Sequence, residues 1–227
     1  MYKKKVNIIG NGFIAKKFKK YLKFLKKKDL IIYAAGISNS TETNTYKLKR
    51  ELKTFKKFVS TNIKKFVYIS TCSISDGNRS NKNYIKNKIK IENLIKKNPN
   101  QYIIIRLPEI IGSKKNPYTL ANFFFKNISV GKKFSVFMNT KRNLLDVDDA
   151  VKSSIRIINQ VGIRNETINI LNKKFYSPLE LVKIFEKILG KKANYYMTYF
   201  KKKSWVFRKS YYLKFDKNYL KKIIKKY

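Results

Sequence analysis

Val6-Asn7-Ile8-Ile9-Gly10-Asn11-Gly12-Phe13-Ile14-Ala15 is the stretch on which the reading of this chain turns. Val6 to Ile9 reads as a short buried strand, and Gly10-Asn11-Gly12 breaks it at once. Beyond the break, Phe13, Ile14, Phe18, Tyr21, Leu22 and Leu25 recur at helical spacing, with lysines on the other face. The order is strand, glycine turn, helix. That is the context the pattern G-x-G-x-x-A requires. Its glycines permit a tight turn and close approach of a pyrophosphate, while Ala15 permits close packing of helix on strand at a positive helix N-terminus. A purely structural turn would show the same string, but its place between strand and helix favours a phosphate or dinucleotide site.

Working outward, Leu30 to Tyr33 forms a second strand ending at Ala34-Ala35-Gly36, small residues that let backbone approach a ligand. Leu48, Leu52, Phe55, Phe58, Val59 and Ile63 mark a helix, and Phe66 to Ile69 a third strand running into Ser70-Thr71. After a loop containing Asp76-Gly77-Asn78, the stretch Asn83 to Lys97 carries Ile85, Ile89 and Ile95 on a helical face, and Pro99 closes it. Tyr102 to Ile105 makes a fourth strand, stopped at Arg106-Leu107-Pro108. Strands alternating with helices predict an α/β fold with a parallel, doubly wound sheet and a ligand crevice at the strands' carboxyl ends.

Beyond Gly112 the pattern loosens into a helix near Leu120 to Asn127, a strand near Phe134 to Met138, a helix after Asp148 and a strand at Thr167 to Leu171. The final clear helix has Ser177 as N-cap, Pro178 at its first position, Glu180 closing a capping box and Gly190 ending it.

At 227 residues the chain has room for one α/β domain with a small appendage. With 43% hydrophobic and 15% aromatic residues it can bury a sizeable core, so disorder is excluded. No apolar run approaches the roughly 20 residues of a membrane span, and the start runs directly into a strand, leaving no space for a signal peptide. A cytoplasmic location is expected. A single cysteine, Cys72, excludes an internal disulfide and a cysteine metal cage. Histidine is absent, which excludes Ser-His-Asp and Cys-His nucleophiles and leaves Tyr, Lys, Ser/Thr and carboxylates for proton chemistry.

The formal charge of +41, from 54 Lys+Arg against 13 Asp+Glu, predicts attraction to polyanions. The excess is smeared along the chain beside abundant Asn, Ile, Phe and Tyr, residues that share A/T-rich codons. Genome composition accounts for it, so any nucleic-acid binding is expected to be non-specific and salt-sensitive.

Tyr84 and Lys88, four apart, share one helical face. There an ammonium favours phenolate and makes the tyrosine an acid/base. Tyr199 and Lys203 match the same spacing. What favours Tyr84 is its place one loop after Thr71, whose hydroxyl at a strand end can bond the same substrate oxygen. Arg142 is a candidate to clamp a diphosphate, and Asp149 sits just inside a helix start, where its charge suits the helix dipole.

Read in order, VNIIGNGFIA, DLIIYAAG, FVYISTCSI, YIKNK, YIIIRLPEIIG, RNLLDVDDA and INILNKKFYSPLELVKIFEKILG resemble the NAD-dependent epimerase/dehydratase family, the extended branch of the short-chain dehydrogenases. The resemblance implies a Rossmann-type core over residues 1–112, shortened where a second strand would lie. A mixed segment, 113–227, would complete the core and form a small substrate lobe. It implies that Gly10, Asn11, Gly12, Phe13, Ile14 and Ala15 line the pyrophosphate of NAD or NADP, with Ala34, Ala35, Gly36 and Pro108 beside it. Thr71 would be the catalytic Ser/Thr, Tyr84 the catalytic tyrosine and Lys88 the lysine holding the nicotinamide ribose. Arg142 and Glu109 would contact a nucleotide-sugar substrate, Glu109 standing where the family usually has Asn. The implied chemistry is hydride transfer at a sugar carbon, giving epimerisation, dehydration or reduction in surface polysaccharide biosynthesis. No specific nucleic acid and no membrane span are among the expected partners, and a homodimer is left open. A non-catalytic Rossmann protein without productive cofactor binding is the alternative. The segment between the first helix and Asp29 is nearly missing; in relatives it supplies the residue that chooses between NAD and NADP. Lys26, Lys27 or Lys28 are the candidates to favour the extra phosphate instead.

Overall fold

A computed structural model describes residues 6–27, 29–59, 65–76, 82–98, 100–112, 116, 118–199 and 206–226. Gly77, Asn78, Pro99, Lys28 and Lys203 lie outside the described residues.

The chain runs β1 (Val6–Ile9), α1 (Phe13–Lys20), a short 3-10 turn (Leu22–Phe24), β2 (Leu30–Tyr33), α2 (Thr45–Val59), β3 (Lys65–Thr71) and a second 3-10 turn (Cys72–Ser75). Then follow α3 (Asn83–Lys96), β4 (Gln101–Leu107), β5 (Glu109–Ile111), α4 (Leu120–Ser129), β6 (Phe134–Phe137), β7 (Arg142–Asp146) and α5 (Val147–Asn159). The chain closes with β8 (Glu166–Asn172), β9 (Phe175–Tyr176), α6 (Pro178–Leu189), β10 (Tyr195–Thr198), β11 (Ser210–Leu213) and α7 (Tyr219–Ile224).

Six parallel strands make the main sheet in the order β1-β2-β3-β4-β8-β11. Because side chains alternate along a strand, Leu30 and Ile32 of β2 enter one apolar layer with Phe18 of α1 and Val151 of α5. Ile31 and Tyr33 enter the opposite layer with Phe55 of α2 and Ile91 of α3. Helices therefore cover both faces, as expected for a doubly wound sheet. Near-continuous apolar runs in β2, β3 and β4 follow from that double burial.

The short connection from α1 to β2 leaves its mark at β1. Among the described residues β1 pairs with β2 alone, so it is an edge strand. In the classic doubly wound order the chain first adds strands on one side of strand 1, then crosses to the other. Here it crosses at once. The step from β1 to β2 carries α1 on the α5 face, and the onward step from β2 to β3 carries α2 on the other face. Two crossovers stepping the same way with helices on opposite faces have opposite hands, although one hand is nearly universal. Thus α1 keeps the face it would need if strands were added on β1's open side.

A third apolar cluster joins α4, α6 and α7 with β6 and β7, including Phe124, Phe134, Leu144, Phe185 and Leu220. The Ser177 to Gly190 helix is built as its sequence says, with both capping-box bonds present and Gly190 left-handed. The sequence reading missed β5, β7 and β9 to β11 as well as α7. They are short, and their pairing is long-range: β11 joins the main sheet beside β8. The helix of residues 13–25 ends at Lys20, after which the chain tightens into a 3-10 turn. Among the described residues no helix is long and apolar enough to cross a membrane.

Candidate active site

The carboxyl ends of β1 to β4 open on a cavity of about 670 Å³. Of the residues singled out from sequence, Gly12, Phe13, Ile14, Ala34, Gly36, Thr71, Tyr84, Lys88, Pro108, Glu109 and Arg142 line it. Gly10, Asn11, Ala15 and Ala35 do not line it. Ala15 is fully buried beneath the turn, and Ala35 packs against the layer formed with α2 and α3.

The glycine turn is shaped by close backbone contact. Gly10 has φ +126°, and a Cβ there would stand 2.6 Å from the Ala34 carbonyl oxygen. β1 and β2 stay in register to that point, the Ala34 N–H donating to the Ile9 carbonyl at 2.8 Å. Gly12 is the N-cap of α1, and a Cβ there would meet nothing within 4 Å. No acidic residue occupies the first turn of α1, so its positive end is uncompensated where it borders the cavity. That is a cradle fit for a phosphate group.

Thr71 ends β3, and its Oγ1 accepts the Ser73 N–H at 3.1 Å, capping the following turn. One α3 face brings Tyr84 and Lys88 in together, both buried, with Nζ 5.5 Å from the centre of the Tyr84 ring. Of the rival pair, Tyr199 is exposed and follows β10 rather than lying on a helix, and Lys203 lies outside the described residues.

Lys88 is held by a residue the sequence reading did not single out. Its Nζ donates to Glu51 Oε1 at 2.6 Å and to the Tyr68 hydroxyl at 3.3 Å. Burial works against the ammonium charge, but Tyr68, Glu51 and Tyr84 outweigh it and raise the pKa of Lys88 well above that of an ordinary lysine. The signal was present in the sequence, since Glu51 is the lone acid of a basic helix and stands on the same stripe as Leu48 and Phe55.

The other candidates have structural partners as well. Glu109 Oε1 accepts the Leu120 N–H at 2.6 Å at the start of α4. Arg142 Nη1 lies 3.8 Å from Asp76 Oδ2. Asp149 accepts the Tyr219 hydroxyl at 2.9 Å, and that same oxygen accepts the Asp146 N–H at 2.8 Å, so the DVDDA stretch pins α7 to α5. Burial pushes the Cys72 thiol up, away from thiolate chemistry. Lys26 and Lys27 are corrected as phosphate-selecting residues. They precede β2, at the amino ends of the strands, where Lys27 Nζ bonds the Gln160 carbonyl and the Lys26 N–H bonds Asn159.

Comparison with known proteins agrees with this fold. Residues 14–170 match the NAD dependent epimerase/dehydratase family. The chain belongs to that family. Among solved structures, this family member is similar to the RMD of Pseudomonas aeruginosa complexed with NADPH, with a TM-score of 0.71 and 13% identity over 98% of this chain and 97% of that one. It is also similar to the UDP-N-acetylglucosamine 4-epimerase of Bacillus cereus, with a TM-score of 0.67 and 18% identity over 97% and 96%. The UDP-glucose 4-epimerase of Thermotoga maritima with UDP-glucose gives 0.66 and 16% over 85% of each chain. At such identities the likeness is one of fold, and it bears out the Rossmann-type reading. A search of curated proteins returned no match.

Proposed function

We propose that this epimerase/dehydratase family member uses NAD or NADP to epimerise, dehydrate or reduce a nucleotide-linked sugar. One observation carries the reading: Gly12, Thr71, Tyr84 and Lys88, distant in sequence, border a single cavity beneath an uncompensated helix N-terminus. The structural neighbours bound to NADPH and to UDP-glucose support the ligand classes. When bound, the nicotinamide would accept and return a hydride.

The chain's own residues would do the rest. Gly12 would admit the pyrophosphate at a turn that Gly10 shapes, Lys88 would hold the nicotinamide ribose, and Tyr84 would move a proton to or from the sugar hydroxyl, with Thr71 bonding the same oxygen. Arg142 and Glu109 face the sugar nucleotide, and residues 113–227 supply the lobe that receives it. A role in surface polysaccharide biosynthesis and a cytoplasmic location complete the proposal.

A non-catalytic binding protein is the second reading, favoured by the edge position of β1, which leaves no strand on its side away from β2 to hold an adenosine ribose among the described residues. Calorimetry with both dinucleotides separates the two. Binding of either supports the enzyme. If the folded protein binds neither at millimolar concentration, the dehydrogenase chemistry fails.

A further inference from the structure

We infer that Glu51 is a positioning residue of this site, its carboxylate holding the Lys88 side chain charged and fixed between Gly36 and the Tyr84 ring. The inference rests on Tyr84 and Lys88 being the acid/base pair and adds a residue to them.

Glu51 lies on the buried stripe of α2, in a helix otherwise rich in lysine. A carboxylate buried on an apolar stripe is costly unless it is paired and hydrogen-bonded. Here both oxygens are engaged: Oε1 accepts Lys88 Nζ at 2.6 Å and Oε2 accepts Asn87 Nδ2 at 3.1 Å. Seen from the lysine the dependence is mutual, because a buried amine with no anionic partner gives up its proton.

Four elements face this pair. Glu51 comes from α2, Tyr68 from β3 and Tyr84 from α3 itself, while Tyr33 of β2 reaches the Glu51 carbonyl at 3.5 Å. Burial pushes the Tyr33 phenol up to about 12 and the Tyr68 phenol higher still, so both are neutral donors at working pH. Among the described residues Glu51 is the one carboxylate paired with Lys88.

Space is fitted to the pair as well. A Cβ on Gly36 would stand 2.4 Å from Lys88 Nζ and 3.0 Å from Glu51 Oε1. The ammonium thus sits directly against the small-residue turn after β2, at the cavity wall. One carboxylate fixes where the charge is and that it is a charge.

The test is the pH profile of Lys88 acetylation by acetic anhydride in the ligand-free protein, read by mass spectrometry for the wild type and Glu51→Gln. Only a neutral amine reacts. Without the carboxylate the midpoint of the profile is expected to move down by at least about one pH unit, giving on the order of tenfold more labelling at neutral pH. Loosened packing would raise the extent of labelling at every pH without moving the midpoint. An unmoved midpoint therefore overturns the inference.

Should Glu51→Gln not fold, Glu51→Asp takes its place. It keeps the charge and draws it back by one carbon, so a smaller downward shift supports the inference and an unchanged profile overturns it. Calorimetry with NAD and with NADP on the same wild-type protein keeps the two claims apart. A shifted labelling profile without dinucleotide binding would leave Glu51 in its role and remove the catalytic one.

Discussion

Gly36 and Lys88 approach so closely that a single methyl on the glycine would stand 2.4 Å from the lysine nitrogen. The Lys88 end is not free to swing away, since Glu51 holds it in a buried ion pair. Gly36→Ala is therefore expected to displace the ammonium rather than merely crowd it. A misplacement of about 1 Å at a catalytic group costs on the order of 10²-fold in rate, and overpacking costs about 1–3 kcal/mol of stability. Steady-state kinetics with a thermal melt would check both, and unchanged kcat/KM would show that the lysine is not needed where it stands.

Tyr84→Phe removes one hydroxyl from a buried ring and leaves its packing. Turnover is expected to fall by about 10²–10⁴ with little change in Tm. Near-normal turnover on any accepted substrate would take Tyr84 out of the mechanism.

Dinucleotide choice follows from the edge position of β1. In doubly wound folds an acid about 20 residues beyond the glycine turn selects NAD through the adenosine ribose. Here no strand flanks β1 on that side among the described residues, and Lys26 and Lys27 sit at the far pole. NAD and NADP are expected to bind within about tenfold of one another, a difference of about 1.4 kcal/mol. A preference of a thousandfold for either would mean that a selecting residue exists elsewhere.

Glu92 is buried on α3, where it accepts Arg106 Nε at 3.0 Å, Arg106 Nη2 at 2.5 Å and the Ser70 hydroxyl at 2.7 Å. Glu92→Ala strands a guanidinium and should cost about 3–5 kcal/mol. By contrast Lys222, paired with Asp216 at the surface, should leave stability almost unchanged when replaced by Ala. Denaturant titration of both variants measures the contrast.

Asp148 supplies an acid-side dependence. Burial alone would raise its carboxyl, but Lys17 and Tyr21 bond it and hold its pKa below the ordinary aspartate value. A lowered folded-state pKa gives stability that is present above the unfolded value and is lost as pH falls through the folded one. Melting temperature should therefore drop more steeply below about pH 4 in the wild type than in Asp148→Asn. Parallel slopes would remove Asp148 from the acid response.

The sequence made the first half of the molecule legible because there β2, β3 and β4 carry runs buried on both faces, β1 is mostly apolar though only half-buried, and each helix carries one apolar stripe. β1 to β4 and α1 to α3 follow from that pattern; Gly12, Ala34, Thr71 and Pro108 follow from their places after strand ends, and Tyr84 and Lys88 from their shared face of α3. The capping box at Ser177 was equally plain, being a local hydrogen-bond motif. What escaped was decided by contacts far apart in sequence. β11 is a four-residue strand that exists because β8 offers it an edge, and Arg142 begins a strand because β5 and β9 flank it. Glu51 escaped for a different reason: its significance lies in Lys88, 37 residues away, and a lone acid among lysines reads as solvated until its helical stripe is considered.

The edge position of β1 also bears on how the molecule breathes. Amides in β3 and β4, bonded on both sides, should exchange with solvent only on global unfolding, whereas those of Val6 to Ile9 hang on one neighbour and can open locally. The glycine turn is therefore carried by one of the two edge strands of the sheet, β11 being the other. A ligand seated on Gly12 would hold that margin closed, so that saturation and the slowing of deuterium uptake at Val6 to Ile9 become two readings of one equilibrium.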